Sequence, residues 1–207
     1  KSIGQCCFSE LCIYSFHPVK NITTGEGGAI VTNDYKLSAK LKRLRSHGIT
    51  RNSIEMGHPI PGDWYYEMID LGYNYRITDI QAALGISQLK KLDHFIQRRT
   101  ALAERYLELL KHPAIQHPSI LHRSTSAWHI YVIEIKSENP LIKRDLLFSQ
   151  LRSRNIGVQV HYIPIHLHPY FKKLGFNQGD FPLAENYYKN AITIPLYPKM
   201  DQKNQDY

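Results

Sequence analysis

Apolar and polar positions along this 207-residue chain fall into short blocks punctuated by glycine and proline. Cys12, Ile13 and Tyr14 end one apolar run, and Ala29, Ile30, Val31 and Thr32 make a second. Runs of that length, bounded by turn residues, predict two strands. Residues 34–46 predict a helix: Leu37, Leu41 and Leu44 form an apolar stripe, Asn33 or Asp34 suits the N-cap, and Gly48 suits the stop. Residues 49–70 contain Gly57, Pro59, Pro61 and Gly62 without a period and predict a long loop, anchored on the core by Trp64, Tyr65 and Tyr66. Thr78 followed by Gln81 is a capping-box pattern, so a helix begins near Asp79. Residues 93–111 predict a longer helix with Ile96, Ala103, Tyr106 and Leu110 buried, and Arg98, Arg99, Glu104, Arg105 and Glu108 outside.

The remainder alternates. Residues 128–135 and 156–163 predict strands, and 143–154 a helix with Leu146, Leu147 and Leu151 inward. Short helices at 169–174 and 183–190 and a short strand at 192–195 follow, and 201–207 reads as the first turn of one more helix. Mixed short strands and helices of this kind suggest an α+β domain. The helix at 93–111 marks the passage from a first domain, 1–92, to a second, 93–207.

Hydrophobic residues make up 43% of the chain, which suits a packed core and excludes disorder. The formal charge of +8 suits an anionic partner: nucleic acid, a membrane surface or a nucleotide-sugar diphosphate. No RNP-like, zinc-finger or basic-helix motif accompanies the charge, so a nucleic-acid-binding module is the lesser reading. Lys36, Lys40, Lys42, Arg43 and Arg45 share one predicted helix and read as its solvated face. Cys6, Cys7 and Cys12 read as reduced core thiols of a cytoplasmic protein. No second Cys/His pair has zinc-ligand spacing, and no apolar run is long enough to cross a bilayer. The chain begins at Lys1 with a strand almost at once, and so reads as a piece missing a long N-terminal part and a short C-terminal one.

Three stretches carry candidate chemistry. Lys20 follows Pro18 and Val19 at the end of the first strand, with Gly25, Gly27 and Gly28 behind it. A lysine against an apolar wall loses hydration, which favours the neutral amine that attacks a carbonyl. Ser15 and the glycine turn beside it offer a rim that suits phosphate. The alternative for Lys20 is a solvated surface charge. Asn74 and Arg76 precede the helix at Asp79, whose N-terminus attracts anions; from local chemistry alone, Asn74 is an ordinary turn residue. Gln159, Val160, His161 and Tyr162 open a segment that continues to His166 and His168. Pro164 and Pro169 interrupt any metal geometry there, so Gln159, His161 and Tyr162 read as hydrogen-bonding groups for a polar ligand such as a sugar. His166 and His168 read equally as packed residues with solvated tips.

Ser15-Phe16-His17-Pro18-Val19-Lys20, followed by Ile22-Thr23-Thr24-Gly25-Glu26-Gly27-Gly28, resembles the signature of the DegT/DnrJ/EryC1/StrS family of pyridoxal-phosphate-dependent aminotransferases acting on nucleotide-linked keto-sugars. Gly72-Tyr73-Asn74-Tyr75-Arg76 with Asp79-Ile80-Gln81-Ala82-Ala83 resembles a second motif of the family. The resemblance implies an α/β chain: the C-terminal portion of a fold-type I aminotransferase, with the end of the large α/β domain at 1–92 and the α+β small domain at 93–207. It implies pyridoxal 5'-phosphate as cofactor, Lys20 as the Schiff-base lysine, and Ser15 on the cofactor phosphate. Asn74 would reach the cofactor phosphate and the substrate of a neighbouring subunit, in a homodimer with shared active sites. Family dehydratases carry histidine at the position of Lys20, so the lysine argues for transamination. The preceding part of such enzymes supplies an aspartate for the pyridine nitrogen and a stacking aromatic, and neither role falls to a residue here. The Val160-His161-Tyr162 run and the His17-Pro18-Val19-Lys20 form are most similar to the pseudaminic-acid branch. That likeness implies amino transfer, with glutamate as donor, to C4 of a UDP-linked 4-keto-6-deoxy-N-acetylhexosamine contacted by Gln159, Val160, His161 and Tyr162. Perosamine-type and aminoarabinose-type aminotransferases are the alternatives.

Overall fold

The computed structural model describes residues 2–139 and 142–207, which separate into two units, Lys1–Leu92 and Asp93–Tyr207. In the first unit, β1 (Cys12–Ser15) and β2 (Gly28–Val31) pair antiparallel, with Cys12 opposite Val31 and Ser15 opposite Gly28. Helix α1 (Tyr35–Arg45) starts where Asp34 accepts the N–H groups of Lys36 and Leu37 at 2.7 and 3.1 Å. Its last turn carries Lys42, Arg43 and Arg45, which suits the negative end of the helix dipole. The span expected as an unstructured loop is closed at its base by β3 (Ile49–Thr50) against β4 (Glu67–Met68). Helix α2 (Asp79–Leu89) begins at a complete capping box. Thr78 Oγ1 accepts the Gln81 N–H at 3.3 Å, and Gln81 Oε1 accepts the Thr78 N–H at 3.0 Å.

The second unit is built on α3 (Leu92–Leu109) and a three-stranded antiparallel sheet in the order β5 (Ile115–Gln116), β6 (Tyr131–Ile135), β7 (Ala191–Ile194). Around it run α4 (Arg144–Ser153), a 3-10 turn (Ile165–Leu167), α5 (Pro169–Lys172), α6 (Pro182–Asn190) and α7 (Gln202–Asp206). The core joins Leu102 and Tyr106 of α3 to Tyr131, Ile133 and Ile135 of β6 and to Ile192 and Ile194 of β7. Burial lifts the Tyr106 and Tyr131 hydroxyls to about 12. His117 lies between the Tyr131 hydroxyl, 2.9 Å from Nδ1, and the Leu110 carbonyl, 3.1 Å from Nε2.

Several expectations need correction. Residues 156–163 form no strand; only Gln159 pairs, as an isolated bridge to Thr193, and Pro164, which lacks an N–H, could not extend a ladder beyond them. Leu146 faces solvent, and Phe148 joins Leu147 and Leu151 against the core instead. Trp64 is 72% exposed and anchors nothing in the core. Cys7 is exposed and Cys6 and Cys12 are half-buried, so the free thiols are not core residues. The two basic stripes also contain internal fasteners. Arg43 pairs with Asp70 at 2.6 Å and with Glu55 at 3.4 Å. Arg99, expected outside, is 6% exposed and donates through Nη1 to the carbonyls of Trp128, His129 and Leu196 at 3.1, 3.0 and 2.8 Å. Periodicity could not report this, because an arginine stem is long enough to carry its head to carbonyls on other segments.

Arg99→Leu keeps the apolar stem but strands those three carbonyls. It should lower stability by about 3 kcal/mol, read as a fall in the urea midpoint at unchanged slope.

Candidate active site

Lys20 is positioned by the closure of the segment around it. Beyond β1, the Phe16 N–H donates to Gly27 O at 2.9 Å, while Phe16 O accepts the Thr24 N–H at 3.0 Å and the Thr23 hydroxyl at 2.9 Å. Inside that loop the chain turns over residues 17–20, with the Lys20 N–H on His17 O at 3.0 Å. Pro18 occupies the second turn position, where its fixed φ is already correct. Lys20 is half-buried there. Two glycines are required by contact: a Cβ on Gly28 would stand 2.8 Å from Tyr14 O, and one on Gly27, at φ +155°, would stand 2.4 Å from Thr24 Oγ1. Thr24 is buried, and a Cβ on Gly85 of α2 would meet its Cγ2 at 2.8 Å. Helix α2 therefore packs directly on the glycine turn.

Ser15 sits at the exposed end of β1 and accepts the His17 N–H at 3.4 Å. Among the described residues no acceptor takes its hydroxyl proton, so the hydroxyl can donate to an incoming acceptor. An amine, an uncommitted hydroxyl and a turn with three glycines fit a carbonyl compound bearing a phosphate, as pyridoxal phosphate is.

Asn74 is presented by backbone. Its residue bridges Ser46, and the flanking Tyr73 and Tyr75 N–H groups reach Leu44 O and Arg45 O at 2.7 and 3.0 Å. The Tyr73 and Tyr75 rings stack at 4.8 Å, so they share a face and Asn74 takes the opposite one. Asn74 is exposed, and among the described residues its amide makes no hydrogen bond. This presentation depends on Gly48 and Gly72, whose backbones touch: a Cβ on Gly72 would lie 2.0 Å from Gly48 N.

A group that the sequence reading missed orders the neighbouring loop. Glu67 accepts the N–H of Gly57 at 2.7 Å, the N–H of His58 at 3.0 Å and the Tyr65 hydroxyl at 3.1 Å, with His58 Nδ1 also at 3.1 Å. The Gly57 N–H first, then the His58 and Tyr65 groups, hold this carboxyl below the usual range against opposing burial. A lone glutamate in a stretch without a period carries no pattern that announces such a role.

In the second unit, Gln159 exchanges backbone hydrogen bonds with Thr193 at 3.1 and 2.7 Å. Val160 is half-buried, while His161 and Tyr162 are exposed. His161 Nδ1 lies 2.8 Å from Thr193 Oγ1, and the Tyr162 ring lies 5.9 Å from that of His168. His166 has no solvated tip: it is buried, with Nε2 2.8 Å from Glu185 Oε1 and its ring on Phe181 at 4.8 Å. His166 first, and then the Gly179 N–H at 2.7 Å, hold the Glu185 carboxyl low. Among the described residues no group of three or more His, Cys, Asp or Glu could hold a metal ion, and no helix is long and apolar enough to cross a membrane. Ser15, Lys20 and Asn74 thus belong to the first unit, and Gln159, Val160, His161 and Tyr162 to one short segment of the second.

The model of the DegT/DnrJ/EryC1/StrS aminotransferase family matches residues 1–207. Protein MJ1066 of Methanocaldococcus jannaschii is 43% identical over 97% of this chain and 52% of its own length. The UDP-4-amino-4,6-dideoxy-N-acetyl-beta-L-altrosamine transaminase of Campylobacter jejuni serotype O:2 is 41% identical over 95% of this chain and 50% of its own length. Among solved structures, Helicobacter pylori PseC, an aminotransferase involved in the biosynthesis of pseudoaminic acid, superposes with a TM-score of 0.84 at 33% identity, covering 96% of this chain and 51% of PseC. The chain spans about half the length of the curated relatives it matches.

Two outcomes test this geometry. Gly72→Ala should cost about 2–3 kcal/mol by overpacking and raise amide exchange at Tyr73 and Tyr75, measured by mass spectrometry. Because the Glu67 carboxyl is depressed, its hold on the loop should be complete above 4.5 and lost as pH falls through its lowered value. Exchange protection at Gly57 and His58 should follow that fall, and Glu67→Gln should remove the dependence.

Proposed function

The chain belongs to the DegT/DnrJ/EryC1/StrS aminotransferase family, and from that premise we propose that it is the C-terminal portion of a fold-type I, pyridoxal-phosphate-dependent nucleotide-sugar aminotransferase. In this reading 1–92 closes the large cofactor-binding domain and 93–207 is the small domain. The reaction moves an amino group from glutamate to C4 of a UDP-linked 4-keto-6-deoxy-N-acetylhexosamine, in the cytoplasm, as a step towards pseudaminic acid. The observation that carries the reading is the half-buried Lys20, set on a Pro18 turn inside a loop closed by Phe16 and followed by the glycine turn. The Campylobacter and Helicobacter relatives support the choice of sugar.

Pyridoxal phosphate, when bound, supplies an electron sink for the carbon that loses its proton. The chain's own residues do the rest. The Lys20 amine would hold the cofactor, and its Nζ would move the protons, taking one from the donor carbon and returning one at C4 of the sugar. The Ser15 hydroxyl donates to the phosphate. Asn74, exposed on a rigid backbone crossing, reaches the phosphate and substrate held by a second subunit of a homodimer. Gln159, Val160, His161 and Tyr162 line the sugar-nucleotide side, where backbone pairing of Gln159 fixes the segment's position.

Borohydride reduction of the chain extended to family length, after incubation with pyridoxal phosphate, should place a pyridoxyl group on Lys20 by peptide mass spectrometry. Lys20→Ala should lose that label and lower turnover by at least about 10³-fold with the fold retained. Among UDP-, GDP- and dTDP-linked 4-keto-sugars, the UDP-linked N-acetylhexosamine should be the preferred substrate. A label scattered over surface lysines, or full turnover in Lys20→Ala, would sink the reading.

A further inference from the structure

Thr193 is 7% exposed, and its hydroxyl lies 2.8 Å from His161 Nδ1. The two segments are held side by side, because the Thr193 backbone exchanges both hydrogen bonds with Gln159, two residues before His161. Among the described residues the imidazole is the hydroxyl's one side-chain partner. A threonine hydroxyl has one proton to give and two lone pairs. If Nδ1 carried a proton and donated it, the hydroxyl proton would be left without an acceptor in a buried place, an arrangement folded proteins avoid. The hydroxyl therefore donates, and Nδ1 accepts. The neutral ring then keeps its proton on Nε2, the nitrogen away from Thr193. His161 is exposed as a residue, and among the described residues Nε2 has no hydrogen-bond partner.

We infer that Thr193 is a positioning residue that holds His161 as its Nε2–H tautomer, so that His161 meets its ligand as a hydrogen-bond donor to an oxygen and not as a base. This rests on the proposed reading only in taking the sugar nucleotide as the ligand. It deepens that reading by assigning an acceptor oxygen of the ligand to the place opposite Nε2. It also leaves the proton transfers to Lys20.

The test is long-range ¹H–¹⁵N correlation on the ¹⁵N-histidine-labelled chain at about pH 8, well above the ordinary histidine value. The His161 signals are identified by their loss in His161→Gln. A single tautomer with Nδ1 unprotonated and Nε2 protonated is expected. Thr193→Val, which keeps the branched shape without the hydroxyl, should give a mixture of tautomers, and Thr193→Ser should restore the single one. An Nδ1-protonated ring or a mixture in the wild-type chain would overturn the inference, and so would a Thr193→Val spectrum identical to wild type. Should Thr193→Val not fold, the wild-type tautomer decides alone. The readout needs no cofactor, so its failure leaves the aminotransferase reading standing, and failure of cofactor trapping leaves this result standing.

Discussion

The backbone of Phe16 carries the arrangement of the first unit. Its N–H and carbonyl are both tied to the segment 23–27, so the chain between them, residues 17–22, must double back. Lys20 stands inside that return, and its place follows from a few backbone hydrogen bonds more than from side-chain packing. Such bonds are individually modest, and together they leave the loop one conformation. The same pairing brings Gly27 and Gly28 against Thr24 and the Tyr14 carbonyl, where larger residues would force the strands apart. Helix α2 then seals the turn through Gly85. Lys20 is thereby held in a loop whose two ends are fastened to each other beyond β1.

The second unit solves a related problem with different parts. Strand β7 is buried along its whole length, and its outer edge is covered at one point by Gln159. That single bridge is enough to hold the segment carrying His161 and Tyr162, because His166 clamps its far end to Glu185 and the Phe181 ring. The segment is anchored at both ends and open between them. A candidate ligand face made this way needs no regular secondary structure, and its precision comes from hydrogen bonds to buried groups.

The positive charge reads differently once the partners are known. Of the arginines counted in the +8 balance, Arg43, Arg98, Arg99 and Arg105 hold carboxylates or carbonyls within their own unit. Part of the basic side chains therefore serves to fasten each unit internally, so the count of Lys and Arg does not by itself describe a surface for an anion. Conversely, Glu67 and Glu185 act as hubs, each collecting several donors that would otherwise leave a loop loose.

Local rules were enough for much of this chain. The capping box at Thr78, the Asp34 cap, the glycine turn after Lys20 and the buried run at Ile192 are all short-range patterns, and short-range sterics and hydrogen bonding act on neighbours in sequence. The lysine motif and the asparagine motif were legible for the same reason, since each is a contiguous stretch. What the sequence could not determine were the pairings between distant residues. Arg99 looked solvated because its three carbonyls lie 29, 30 and 97 positions away. Residues 156–163 looked like a strand because a strand needs a partner edge that no local pattern reports, and only Gln159 found one. Thr193 gave no signal, because a hydroxyl in a buried strand acquires a role only when His161, 32 residues earlier, is folded against it. Local sequence decided which groups are present and how each turn is made, and the tertiary structure decided which groups meet, because loop closure lets contacts form between residues that share no pattern.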